Sequence, residues 1–197
     1  YKVLGDHGES IHGGIGRWPL PADGRPGEWV EVQGPLVACQ NGVHLCRRED
    51  LIFWLGPTIW EAEGEGDCLT GSDKLVYRRG RLLRPLLGWN ARTQRLFAAD
   101  CAERVLPIYE RAFPHDLRPR QAIDTARRYA DGRATRAELE EAWAAARVAA
   151  REVAGEEEAG AAAWAVAREV AGGEEVGAAT RAVAWAAARV AAGGEAW

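Results

Sequence analysis

The chain has 197 residues, 47% of them hydrophobic, which is enough to bury one large core or two small ones and too many for a disordered polymer. Its 25 basic and 29 acidic residues give a formal charge of −4, so there is no long-range attraction to nucleic acid or anionic lipid. Four cysteines do not make a secreted disulfide scaffold. Arg and Glu also interrupt every alanine tract before the roughly 18 apolar residues of a membrane span can accumulate, and no charged-then-apolar leader is visible, so a soluble cytoplasmic protein is expected.

Residues 1 to 89 are rich in turn formers, as in "HGGIGRWPLPADGRPGEW", with short apolar runs between them. In chain order the candidate strands are "EWVEV" (28–32), "PLVAC" (35–39), "GVHLC" (42–46), "TIWEAE" (58–63) and "KLVYRRGRLL" (74–83). The first and fourth alternate apolar with polar residues, as a sheet with one wet face requires. "RREDLIFWLG" (47–56) reads as a short helix stopped by Gly56 and Pro57.

From Asn90 the texture becomes helical. Asn90 is a candidate N-cap for "ARTQRLFAADCAERVLPIYERAF", with Leu96, Ala99, Val105 and Ile108 along one stripe and Pro107 expected to kink or interrupt it. "RPRQAIDTARRYADG" (118–132) has Pro119 in its first turn and Gly132 just past its end. Thr135 followed by Glu138 forms a capping box, in which each side chain satisfies a backbone N–H that the first helical turn leaves orphaned.

The tail carries an internal repeat. "AWAAARVAA" at 142–150 recurs at 184–192 and "AWAVAREVA" lies at 163–171, which spaces Trp143, Trp164 and Trp185 evenly over units 142–162, 163–183 and 184–197. Paired glycines at 172–173 and 193–194 cost a helix about 2 kcal/mol relative to alanine, so separate helices packed side by side are expected in place of one rod. In the first unit Leu139, Trp143, Ala146, Ala150 and Val153 follow heptad spacing, the seam of a bundle or of self-association between copies.

Candidate chemistry gathers around "CQNGVHLC" (39–46). Cys39, His44, Cys46 and Cys68 could supply a tetrahedral zinc set, although the C-x4-H-x-C spacing is not the familiar C-x2-C knuckle. Strand alternation puts His44 and Cys46 on one face, and an Asn-Gly hairpin could bring Cys39 to them; equally, the cysteines can be small core residues and the histidine bonded to backbone. "HGGIG" (12–16) offers glycine N–H groups to an anion but lacks both phosphate-loop patterns, which leaves a tight turn as its other reading. The ligand candidates are therefore His12, Gly13, Gly14, His44 and Cys46; no catalytic set, resident metal or cofactor is assigned.

Two resemblances follow from these residues. "CAERVLPIYE", "RPRQAI", "ARRYADG" and the Ala-Trp tail, across roughly residues 90 to 197, resemble the helical domain of bacterial and phage immunity proteins, which implies an all-helical unit that binds a protein or acts as a scaffold. "PLVACQNGVHLC", "WLG", "WEAEGEGD" and "DK" look like an uncharacterised phage and actinobacterial domain. More faintly, "NGVHLCRREDLIFWLG" and "SIHGG" are similar to the strand-helix and "HG" motifs of ADP-ribosyltransferase folds, where that strand lines the nicotinamide pocket.

The expectation is thus an α+β chain, with a small, mostly β domain over 1–89 and a helical domain over 90–197. The expected role is a non-enzymatic cytoplasmic binding protein of a bacterial or phage conflict system, with a protein or nucleotide-like partner. The alternatives are an NAD-handling enzyme resembling ADP-ribosyltransferases and a structural homo-oligomer.

Overall fold

A computed structural model describes residues 1–152 of the chain. It is α+β, an antiparallel sheet followed by helices. It divides into two compact units, Tyr1–Trp89 and Asn90–Trp197.

In the first unit the strands are β1 (Lys2–Leu4), β2 (Val30–Glu31), β3 (Val43–Leu45), β4 (Thr58–Thr70) and β5 (Leu75–Pro85), with a one-turn helix α1 (Leu51–Trp54). They form a five-stranded sheet ordered β1-β4-β5-β2, with β3 also paired to β5. The long β4–β5 hairpin is its spine, and β1, β2 and β3 are short strips laid antiparallel against it. Leu4, Trp18, Val43, Leu45 and Leu82 fill the core on one face, flanked by Trp60, Ala62 and Tyr77.

Along the hairpin, alternate residues carry opposite charges. Glu61 meets Arg84, Glu63 meets Arg81 at 2.5 Å, Glu65 meets Arg79 at 2.7 Å and Asp67 reaches Arg78. Trp29 lies against the guanidinium groups of Arg79 and Arg81 at 4.7 and 4.6 Å, so the ladder is tied to the segment entering β2.

Two expectations change here. "PLVAC" does not form a strand: Val37 and Asn41 make a single bridge, Cys39 turns with φ +64°, and the Asn41 side-chain amide donates to the carbonyls of Gln33 and Pro35 at 2.8 Å each. Those bonds fold the segment on itself where a ladder would hold it straight. β1 was not expected, because three residues carry too little alternation to register as a pattern.

In the second unit the described helices are α2 (Ala91–Ala112), α3 (Arg118–Ala130) and α4 (Arg136–Glu152). The caps follow the local chemistry. The Asn90 side chain accepts from Arg92 N and Thr93 N, Pro119 stands in the first turn of α3, and Gly132 takes φ +69° just beyond it. At the third, Thr135 N donates to Glu138 Oε2 at 2.7 Å and Glu138 N to Thr135 Oγ1 at 3.2 Å. α2 runs uninterrupted through Pro107, so packing outweighs the hydrogen bond that proline removes.

The core of this unit is built of small residues. Ala99, Ala102, Ala122, Ala126, Ala146, Ala149 and Ala150 are buried with Val105, Leu106, Tyr109, Ile123 and Leu139. Alanine methyls let backbones approach closely, and the few large side chains fill the remaining volume. Leu139, Trp143, Ala146 and Ala150 of the expected seam belong to this cluster, with Trp143 partly buried under the guanidinium of Arg147 at 4.8 Å. Val153, Trp164, Trp185 and the later repeat units lie outside the described residues.

Candidate functional site

His44 sits on β3 between the buried Val43 and Leu45, so its side chain leaves the face that carries the core. The Cys39 backbone N–H donates to its Nε2 at 2.9 Å, and its Nδ1 lies 2.9 Å from the Gly42 carbonyl oxygen. An amide can only donate, so Nε2 is the acceptor and Nδ1 carries the proton: a neutral imidazole of fixed tautomer. Burial holds its pKa below the ordinary value and the ammonium groups of Lys2 and Lys74 push the same way, against the opposing pull of the Gly42 carbonyl. Both ring nitrogens therefore serve the turn that precedes β3.

Cys46 is buried at the end of that strand, with its thiol 3.6 Å from the Tyr1 carbonyl oxygen, and burial pushes its pKa up, which disfavours the reactive thiolate. Lys2 donates to the His44 carbonyl at 3.1 Å and stands over the Trp18 ring at 4.9 Å; desolvation brings its pKa down to about 8. Cys39 is exposed on the turn, and Cys68 is exposed on β4 opposite Tyr77. Among the described residues, no three His, Cys, Asp or Glu side chains gather as metal ligands, so the four zinc candidates are not brought together.

His12 lies elsewhere in the unit. Its Nε2 is 2.7 Å from the Trp54 carbonyl oxygen and its ring meets the Trp54 indole edge-on at 5.4 Å, while Lys74 covers that indole at 5.0 Å. The loop after it is closed by Ser10 N donating to Gly16 O at 3.0 Å. Gly13 and Gly16 take φ +78° and +88°, a Cβ on Gly14 would meet Ser10 at 3.0 Å, and Ile15 at the tip is 99% exposed. Sequence reasoning missed that α1, a run of Leu51, Ile52, Phe53 and Trp54, buries none of these side chains fully. The signal was present: four large apolar residues on one helical turn cannot all face inward.

In the helical unit the notable cluster joins the α2–α3 connection to the end of α4. Tyr109 is fully buried and its hydroxyl donates to Asp116 Oδ2 at 2.5 Å. Arg118 donates to both oxygens of Asp116, at 2.8 and 2.6 Å, and to Glu152 at 2.5 Å. The guanidinium brings the Asp116 carboxyl down to about 2, and burial pushes the Tyr109 phenol up. Similar pairs link α2 and α3, Arg120 to Glu110 and Arg127 to Asp100 and Glu103; Leu117 and Val148 are exposed large apolar residues of this unit. No helix among the described residues is long and apolar enough to cross a membrane.

A family model described as "Imm-5 like putative immunity protein" matches residues 90–196, which takes in all three described helices. The chain belongs to this family. The match bears out the resemblance noted for the helical half; the Imm-5 like region begins at the N-cap of α2, so residues 1–89 precede it. No curated protein and no solved structure matches the chain.

Proposed function

We propose that this Imm-5 like chain is a non-enzymatic binding protein of a bacterial or phage conflict system, and that its helical unit holds a protein partner. The family match over 90–196 carries the reading. Geometry supports it: the groups best suited to chemistry are committed to the fold, His44 to two backbone groups and Asp116 to Arg118 and Tyr109. The surface of the helical unit carries both arginine–carboxylate pairs and exposed large apolar residues, Leu117 and Val148, the two kinds of group that specific protein interfaces combine.

The test expresses the chain in cells challenged with each toxin domain encoded beside its gene. Protection accompanied by a stoichiometric complex, lost on Leu117→Asp with Val148→Asp and retained after substitutions in 1–89, is the expected result. Protection without a complex, or turnover of NAD that disappears on His44→Ala, would overturn it in favour of an enzyme.

A further inference from the structure

We propose that His44 is a proton-sensitive latch: uptake of a proton at its Nε2 frees the Cys39 end of the Val37–Gly42 turn. In the latched state Nε2 accepts the Cys39 N–H at 2.9 Å and Nδ1 donates to Gly42 O at 2.9 Å, so one ring clamps the turn at two points three residues apart. A proton from solvent occupies the Nε2 lone pair, and the Cys39 amide then faces an N–H where it had an acceptor.

The turn has reason to move once that bond is lost. Cys39 is held at φ +64°, a left-handed conformation unfavourable for a non-glycine residue. The clamp also presses the chain onto β5: a Cβ at Gly42 would fall 2.1 Å from Val76 Cγ1, and Leu36 lies beside it, so Val76 is 1% exposed beneath the turn. The protonated ring still donates from Nδ1 to Gly42 O; the Val37–Asn41 bridge and the Asn41 side chain hold the turn to itself and to Gln33 and Pro35, and Arg78 of β5 donates to the carbonyls of Val32 and Gly34 just ahead of it. Release therefore swings the Cys39 end of the turn about Gly42 and loosens the cover over Val76.

The charged groups that act on the ring are Lys2, whose ammonium donates to the His44 carbonyl from β1, and Lys74 at the start of β5. Burial of the ring first, and repulsion from both lysines second, make the latched form resist the proton and titrate below an ordinary histidine. Swung clear of the buried turn, the ring is better solvated and takes up a proton more readily. The open form thus binds the proton more tightly than the latched one, so acid favours opening and the latch closes as pH rises.

The experiment is a pH titration of the intact chain by nitrogen-15 NMR with amide hydrogen exchange. At neutral pH the ring should show a pyrrole-type Nδ1 and a pyridine-type Nε2. Below the His44 titration, protection of the Cys39 amide should fall about tenfold per pH unit, because the accepting form declines by that factor. The Val76 methyl shifts should move with the same midpoint. His44→Phe should show low, pH-independent protection at Cys39. A proton resident on Nε2 at neutral pH, a His44 midpoint at or above 6.5, or protection at Cys39 that stays level through the imidazole titration would overturn the latch. The readout involves no partner, so its failure leaves the binding reading untouched.

Discussion

Replacing Asp116 by Asn tests whether the Tyr109–Asp116–Arg118 cluster stabilises the helical unit. The carboxyl titrates at about 2 in the folded chain against a usual value of 3.8, chiefly because Arg118 bonds both of its oxygens. A depression of nearly two units corresponds to about 2 kcal/mol, present above the unfolded value and lost as pH falls from roughly 5 toward 2. The side chain is only 18% exposed, so solvent screening removes little of this. Asn keeps the shape but no charge, and it leaves Arg118 with Glu152 as its carboxylate partner. Urea unfolding followed by helical circular dichroism at pH 6, 4 and 3 should show Asp116→Asn about 2 kcal/mol less stable at pH 6, with the gap closing as acid protonates the parent chain. A gap that stays constant with pH, or one under about 0.5 kcal/mol at pH 6, would refute the electrostatic account and leave Asp116 as an ordinary turn residue.

Lys2→Met should flatten the alkaline stability profile of the sheet unit. Lys2 releases its proton near 8 when folded and near 10.5 when unfolded, so the unfolded chain binds more protons between those values and stability climbs with pH by at most about 3 kcal/mol, a climb that denaturation at pH 7.5 and 10 should find missing from the variant. Ala146→Leu should cost about 2 kcal/mol or more, because a fully buried methyl at the helix contact has no room for an isobutyl group, and the loss should appear as a lower thermal midpoint of the helical signal. Trp143→Ala should cost about 2 kcal/mol in the same assay, less than a fully buried tryptophan, since this indole is only partly covered. Gly42→Ala should destabilise the first unit by more than about 1 kcal/mol, its Cβ being driven against Val76 at a positive φ, and exchange of the β3 amides should report it.

What could be read in the sequence was local. Helix ends were legible because their determinants lie within four residues: Asn90 bonds Thr93, Thr135 bonds Glu138, and Pro119 and Gly132 act through their own backbone angles. β4 was recognisable from alternation and β5 as an apolar run between turn formers, though β4 runs on to Thr70, past the point where "GEGD" weakens the pattern. "PLVAC" has the composition of a strand and became a turn because one amide side chain, Asn41, competes for backbone carbonyls, which composition does not weigh. The Cys and His cluster was visible as a cluster, but which atoms His44 faces depends on the fold of that turn and on a tautomer. Two residues of the ligand set, His12 and His44, are bonded to different backbone segments, at Trp54 and at Cys39 and Gly42.

The charged hairpin has a further consequence. From Glu61 to Thr70 no strand among the described residues flanks the outer side of β4, which leaves main-chain groups open to a neighbouring molecule. Fibre growth through such a rim needs a flat, uncharged strip, and this one is interrupted by register breaks at Glu61/Ala62 and Glu65/Cys68, bent at Gly66 with φ +82°, and studded with carboxylates tethered to arginines. A second copy pairing along this edge would bring carboxylates such as Glu63 and Glu65 near their own kind, which disfavours fibre growth through it.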